Sequence, residues 1–222
     1  MDGIELPASA EQFMQPTRFF NSGHPSIVEY VDGLGLDGRG PEEKAAVLFG
    51  LVRDEINYEF EVKVSEELYV ASTVLARAGG FCVQKASLFC ALCRAAGIPA
   101  GIVLSDLKDH ILHERKVKEI GTNVMYYHGL NALHIGGKWI YADASLTSDI
   151  LDRRGCGIPE FDADKGCLIP EKSAGGEPNC EYVRFHGLFA ELPFKRLLKG
   201  FREHYKHLSD DEVHKRFERE NG

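Results

Sequence analysis

The chain has 222 residues, 44% hydrophobic and 27% charged, the proportions of an ordinary globular protein and not of a disordered or fibrous one. With 26 Lys and Arg against 34 Asp and Glu the net charge is −8, and no Lys/Arg block is present, so no nucleic-acid partner is expected. No apolar run approaches the ~20 residues of a membrane span, and the N-terminal MDGIELPASAEQF carries acids in place of a basic-then-apolar signal; the expected location is cytoplasmic, away from the membrane.

This length supports one substantial core. One domain is expected over 1–222, with its core at about 41–146, a loop-rich extension at 147–190, and a C-terminal helix and tail at 191–222. Residues 1–40 are rich in turn formers (NSGHPS, DGLGLDGRGP) and read as irregular. The first predicted helix begins after Gly40, with Pro41 and two glutamates in its opening turn, and buries Ala45, Leu48, Phe49, Val52 and Ile56 on one face. Residues 58–64 alternate and read as a short extended segment. A second short helix over 72–78 is stopped by Gly79-Gly80.

The next stretch is the most informative. Residues 83–96 are good helix formers, apolar nearly all round, so this helix is expected to be buried. Gly97 supplies a left-handed end and Pro99 prevents continuation. Strands are expected over 100–104, 124–127, 131–135 and 138–142, the last two joined by Gly136-Gly137 as a hairpin. Residues 144–180 are loop-rich, and a helix over 192–208 precedes a charged tail. Helices first and a meander of strands after them make an α+β layout.

The six cysteines are Cys82, Cys90, Cys93, Cys156, Cys167 and Cys180; in a reducing compartment they are thiols. Cys82 follows two glycines and immediately precedes the buried helix. There the helix dipole and unpaired amides favour a thiolate, and the same amides can receive an oxyanion. The alternative is a small buried hydrophobe. A Cys nucleophile also needs an imidazole base and a group that fixes its tautomer. His128 lies beside a predicted strand, and Asp143 ends another 15 residues later, across the glycine hairpin. Strand geometry favours His128 over the competing His134.

The run Gly80-Phe81-Cys82-Val83-Gln84-Lys85-Ala86, followed by Leu92-Cys93-Arg94-Ala95-Ala96-Gly97-Ile98-Pro99-Ala100, resembles the transglutaminase-like superfamily of papain-fold Cys-His-Asp enzymes. Leu51 to Tyr58 is similar to the family's preceding helix, and His128, Gly137-Lys138-Trp139 and Asp143 to its histidine strand, tryptophan turn and aspartate. The resemblance implies a papain-like α+β core in which the nucleophile helix packs on an antiparallel sheet. It implies Cys82 as nucleophile, His128 as base and Asp143 as orienting acid. Asp143 stands in Tyr-Ala-Asp-Ala-Ser, where many members have Asp-Pro. Tyr69 is a candidate substrate-binding side chain for the oxyanion, with a packed core tyrosine as the alternative.

The expected function is thiol-dependent acyl transfer, with hydrolysis of an amide or peptide bond ahead of transfer to an amine. A non-catalytic binding module is the rival. The expected partner is a small amide, peptide or protein acyl donor, and no cofactor or metal is expected. Cys90-x-x-Cys93 has no second pair at zinc spacing and reads as core packing. No EF-hand loop is present, so calcium activation is not implied. His110 and His113 read as solvated loop residues. Residues 155–180, with Glu160, Asp162, Asp164, Glu171 and Glu177 against Lys165 and Lys172, are the segment long enough to cap the cleft, and read either as an acidic lid or as a solvated loop.

Overall fold

In the computed structural model, which describes residues 4–7 and 9–205, helix α4 (Cys82–Ala95) is buried from its first residue to Arg94. Its start is fixed by Gln84, whose Oε1 accepts the Phe81 N–H at 3.1 Å while its Nε2 donates to the Leu68 carbonyl at 2.7 Å. Its end follows the expected glycine signal. Gly97 is left-handed at φ 84°, and the Ile98 amide turns back to the Cys93 carbonyl at 2.8 Å.

Helices α1 (Pro25–Gly33), α2 (Pro41–Glu55) and α3 (Ala71–Arg77) surround α4. Strands β1 (Asn57–Tyr58) and β2 (Gly79–Gly80) form a parallel pair that sets Tyr58 beside Gly80, just ahead of Cys82. The opposite layer is an antiparallel sheet of order β5-β4-β3-β6, built from β3 (Ala100–Asp109), β4 (Val124–Ile135), β5 (Lys138–Ala142) and β6 (Cys180–Phe189). Short helices α5 (Glu114–Ile120) and α6 (Ser148–Arg153) lie in connections, and α7 (Phe194–His204) packs on β4. None of the described helices is long and apolar enough to cross a membrane. This is the expected α+β arrangement.

Several expectations need correction. Residues 1–40 are not irregular throughout: α1 forms there, opened by His24 and Pro25, and buries Ile27 and Val31 at a spacing of four. The extended segment expected over 58–64 pairs only at its start, at Tyr58 and through the Glu59 amide to the Gly80 carbonyl. Two strands expected over 124–127 and 131–135 are one, and β3 continues to Asp109. The largest miss is β6, which lies inside the stretch expected to be loop. The C-terminal helix stops at His204; positions 206–208 and the charged tail lie outside the described residues.

Two cations of the α4 sequence serve the fold. Arg94 donates to the carbonyls of Ala100, Gln15 and Ala190, tying three segments to the end of α4. Lys85 is fully buried, and its Nζ donates to the carbonyls of Arg53 at 3.0 Å and Ile56 at 2.7 Å. Those carbonyls close the C-terminal end of α2, where a cation suits the dipole. Burial nevertheless lowers the Lys85 pKa from 10.5 to about 7.

The folded-state value lies below the unfolded one, so between about 7 and 10.5 the unfolded chain holds the proton and the native state does not. Stability conferred through this group therefore rises with pH across that window. Denaturant titrations should show the native protein gaining stability over Lys85→Met from neutral to alkaline pH. A difference that stays constant with pH would contradict this.

Candidate active site

The site begins at a close approach. Gly129 of β4 lies over the first turn of α4, where an added Cβ would stand 2.8 Å from the Val83 Cα. The contact is backbone against backbone, so only glycine permits it. Two residues on, Asn131 donates to the Ala86 carbonyl at 2.9 Å and the Cys90 sulfur at 3.0 Å, fixing the strand along the helix. His128, next to Gly129, is thereby carried to Cys82.

His128 is buried, and its Nε2–H donates to Asp143 Oδ2 at 2.6 Å. That leaves Nδ1 for the Cys82 sulfur, which lines the same cleft and favours the charged form of the imidazole. Burial works against the imidazolium, but the Asp143 carboxylate and Cys82 together raise the His128 pKa from 6.5 to about 10. Burial also raises a carboxyl, yet Asp143 is held below its usual range by the His128 charge and by hydrogen bonds from His128, Ser145 and Tyr182. The Ser145 amide donates to Oδ1 at 3.0 Å and the Tyr182 hydroxyl to Oδ2 at 2.7 Å. The structure thus brings Cys82, His128 and Asp143 together.

His134 stands apart, edge-on to Trp139 with ring centroids 5.2 Å apart. Tyr69 is not at the site. It is fully buried, its hydroxyl donates to the Lys63 carbonyl at 2.6 Å, and its ring packs edge-on against Phe81 and Phe194. Its sequence position, ahead of the nucleophile helix, leads into the core and not into the cleft. His110 pairs with Glu181, and His113 caps α5 by accepting the Arg115 amide.

Burial pushes the thiols of Cys90, Cys167 and Cys180 up to about 12, and raises those of Cys93 and Cys156 as well. Cys90 and Cys93 are packed inside α4. Among the described residues, no three His, Cys, Asp or Glu side chains gather as metal ligands.

Cys82 and His128 line a cleft whose empty volume, open mouth included, is about 550 Å³. Its walls are mainly Tyr58, Phe60, Phe81, Met125, Tyr126 and Phe201, and the carboxylates and the lysine at its edge are Glu61, Glu119 and Lys116. Glu61 pairs with Lys63 at 2.8 Å, and Lys116 pairs with Glu119 at 3.0 Å while lying 4.9 Å from the Phe60 ring centre. No residue of 155–180 lines this cleft, which overturns the acidic-lid reading of that segment. That segment runs instead along the outer edge of β5. The Cys167 amide donates to the Tyr141 carbonyl, and the Cys167 carbonyl accepts the Asp143 amide at 2.7 Å. It supports the backbone of Asp143.

Tyr182, Tyr58 and Tyr126 were not visible as site residues in the sequence. Tyr182 lies 39 residues beyond Asp143, and only the pairing of β6 with β3 returns it to the site.

The description "transglutaminase-like superfamily" belongs to a family model that matches residues 29–144, just over half of the chain. Among solved structures, a candidate cysteine protease from Cytophaga hutchinsonii is similar at 21% identity and a TM-score of 0.48, over 63% of this chain and 43% of that one. A candidate protease from Parabacteroides distasonis is similar at 18% identity and a TM-score of 0.41, over 66% of this chain and 27% of that one. The arylamine N-acetyltransferase from Mycobacterium abscessus is similar at 17% identity and a TM-score of 0.40, over 60% of this chain and 46% of that one. The similar region is less than half of each of those solved chains. Comparison with curated protein sequences gives no match.

Two outcomes follow from this geometry. Gly129→Ala forces β4 off Val83, so it should cost about 1–3 kcal/mol of stability. It should also slow iodoacetamide labelling of Cys82 at mildly acidic pH; labelling at the native rate would show that the close approach does not set the Cys–His distance. Tyr182→Phe removes one donor from Asp143 and raises its pKa. The acidic limb of the Cys82 labelling profile should then move toward neutrality, as a pH series with peptide mapping would show.

Proposed function

Since the chain belongs to the transglutaminase-like superfamily, we propose that it is a thiol-dependent acyl-transfer enzyme whose principal acceptor is water. The observation that carries this reading is the buried relay from Cys82 through His128 to Asp143, opening on an apolar cleft. The Cys82 thiolate attacks the carbonyl carbon of an amide or ester, and the His128 Nδ1–H gives its proton to the departing amine or alcohol as its bond to carbon breaks. A thioester remains. His128 then takes a proton from water, whose oxygen attacks the thioester; the carbon–sulfur bond breaks, and a carboxylic acid leaves. Asp143 accepts the Nε2–H throughout and holds the tautomer. The first-turn amides of α4, including that of Cys82, have no intrahelical acceptor and receive the oxyanion.

The cleft argues for the substrate class. Its walls are aromatic and aliphatic, and each charge at its edge sits in an ion pair, Lys116 with Glu119 and Glu61 with Lys63. A donor with an apolar or aromatic group beside the scissile carbonyl fits this surface; a strongly charged one would lose hydration without a free partner. Amine transfer is the second reading, since nothing in the relay distinguishes an amine from water as the attacking group.

The test is a panel of acyl esters and anilides of increasing apolar length, with and without primary amines, read by product mass and by intact-protein mass. Acyl-enzyme on Cys82, released as free acid and formed faster with longer apolar acyl groups, is the expected result. Cys82→Ser and His128→Ala should lower turnover by about 10³-fold or more. Predominant amine adduct would make the protein a transferase. Binding of donors with no acylation of Cys82 would make it a binding module.

A further inference from the structure

Beside the relay lies a second His–Asp pair that the acyl-transfer chemistry does not use. It is built where β3 meets a bulge on both sides. On β4, the three steps from Met125 to His128 face the two steps from Leu107 to Ser105. On β6, the two steps from Phe185 to Gly187 face the single step from Ser105 to Leu104. Tyr127 and His186 sit in these bulges, and their rings stack with centroids 4.2 Å apart at an angle of 4°.

Asp106, on the central strand, engages both. Its Oδ1 accepts the Tyr127 backbone N–H at 3.2 Å and the His186 Nε2–H at 2.7 Å. The side chains of His186 and Asp106 are only 5% and 9% exposed. Helix α7 leaves room for the Tyr127 ring at Gly200, where an added Cβ would lie 2.0 Å from Tyr127 Cε2.

The object of this grip is a residue in an unfavourable conformation. Tyr127 has φ 56°, the left-handed region that a bulky side chain occupies only where its surroundings over-determine it. It directly precedes His128. The turn of the backbone at Tyr127 sets the direction in which His128 leaves the strand, and a bulge is a recognised means of re-aiming a side chain.

We infer that Asp106 and His186 are positioning residues that lock Tyr127 in its left-handed conformation and so aim the His128 imidazole at Cys82. The inference rests on the reading of Cys82 and His128 as nucleophile and base. A merely structural pair would contribute to stability and leave the chemistry of Cys82 unchanged.

The experiment follows the pH profile of Cys82 labelling by iodoacetamide, with thermal unfolding recorded on the same samples. His128→Ala first establishes the share of low-pH labelling that depends on the imidazole. Were it to leave the native profile unchanged, the acyl-transfer reading would fail, and this proposal with it. Given that dependence, Asp106→Ala should lower low-pH labelling by roughly 10- to 100-fold, the effect of an imidazole displaced by about an ångström. Asp106→Asn, which keeps an acceptor for the Tyr127 amide, should restore most of the rate. His186→Phe keeps the stacked ring and drops the Nε2–H, so it carries the test where Asp106→Ala does not fold; it should lower the rate in the same direction. A folded His186→Phe or Asp106→Ala protein with the native profile overturns the proposal while leaving the acyl-transfer reading intact.

Discussion

Everything at the site depends on how closely β4 can lie on the first turn of α4. A Cβ at position 129 would stand 2.8 Å from the Val83 Cα and hold the strand off the helix. Gly129 removes that obstacle at Val83, and Asn131 fixes the approach through the Ala86 carbonyl. The dipole of α4 and the charge of His128 then act on the same sulfur. The rest of the sheet sets the direction of this contact: β5 delivers Asp143 from one side of β4, and β3 with β6 delivers Tyr182 from the other.

The parts legible in the sequence are those set by local chemistry. The glycine pair before Cys82, the apolar helix and its Gly97 end are read directly, because capping and periodicity act within a turn or two. The Cys82, His128 and Asp143 trio was legible through the resemblance and the hairpin. What failed has a common cause. The β6 strand changes phase twice within ten residues, between Gly187 and Phe185 and again between Arg184 and Tyr182, so no alternating pattern survives along it. The β4 strand was divided in two for the same reason: its bulge and Gly129 break the alternation in mid-strand. Bulges re-aim functional side chains, and by doing so they erase the period by which strands are recognised. Tyr182 shares that fate, since its place beside Asp143 follows from the pairing of β6.

The motif stretch also shows that residues close in sequence to a nucleophile need not join its chemistry. Gln84, Lys85 and Arg94 are polar, buried and near Cys82 in sequence, yet each turns to backbone carbonyls of neighbouring segments. They hold the helix that holds the sulfur. Their burial is tolerated because each of their donor nitrogens finds at least one carbonyl, which is the condition for placing amide, ammonium and guanidinium groups in a core.

The buried charges balance in a way that bears on the alkaline side. The His128 pKa is raised above its unfolded value, so its stabilising contribution is complete below 6.5 and is lost as pH climbs toward 10. Lys85 is shifted in the opposite sense over nearly the same interval, and its contribution grows from about 7 to 10.5. The two slopes oppose one another, and Asp143, lying within the field of both cations, favours the charged form of each. The two groups therefore act on stability in opposite directions across neutral and alkaline pH while the charge state of the site changes. Loss of the imidazolium then withdraws the charge that faces the thiol, while the opposing slope of Lys85 acts on the core around it.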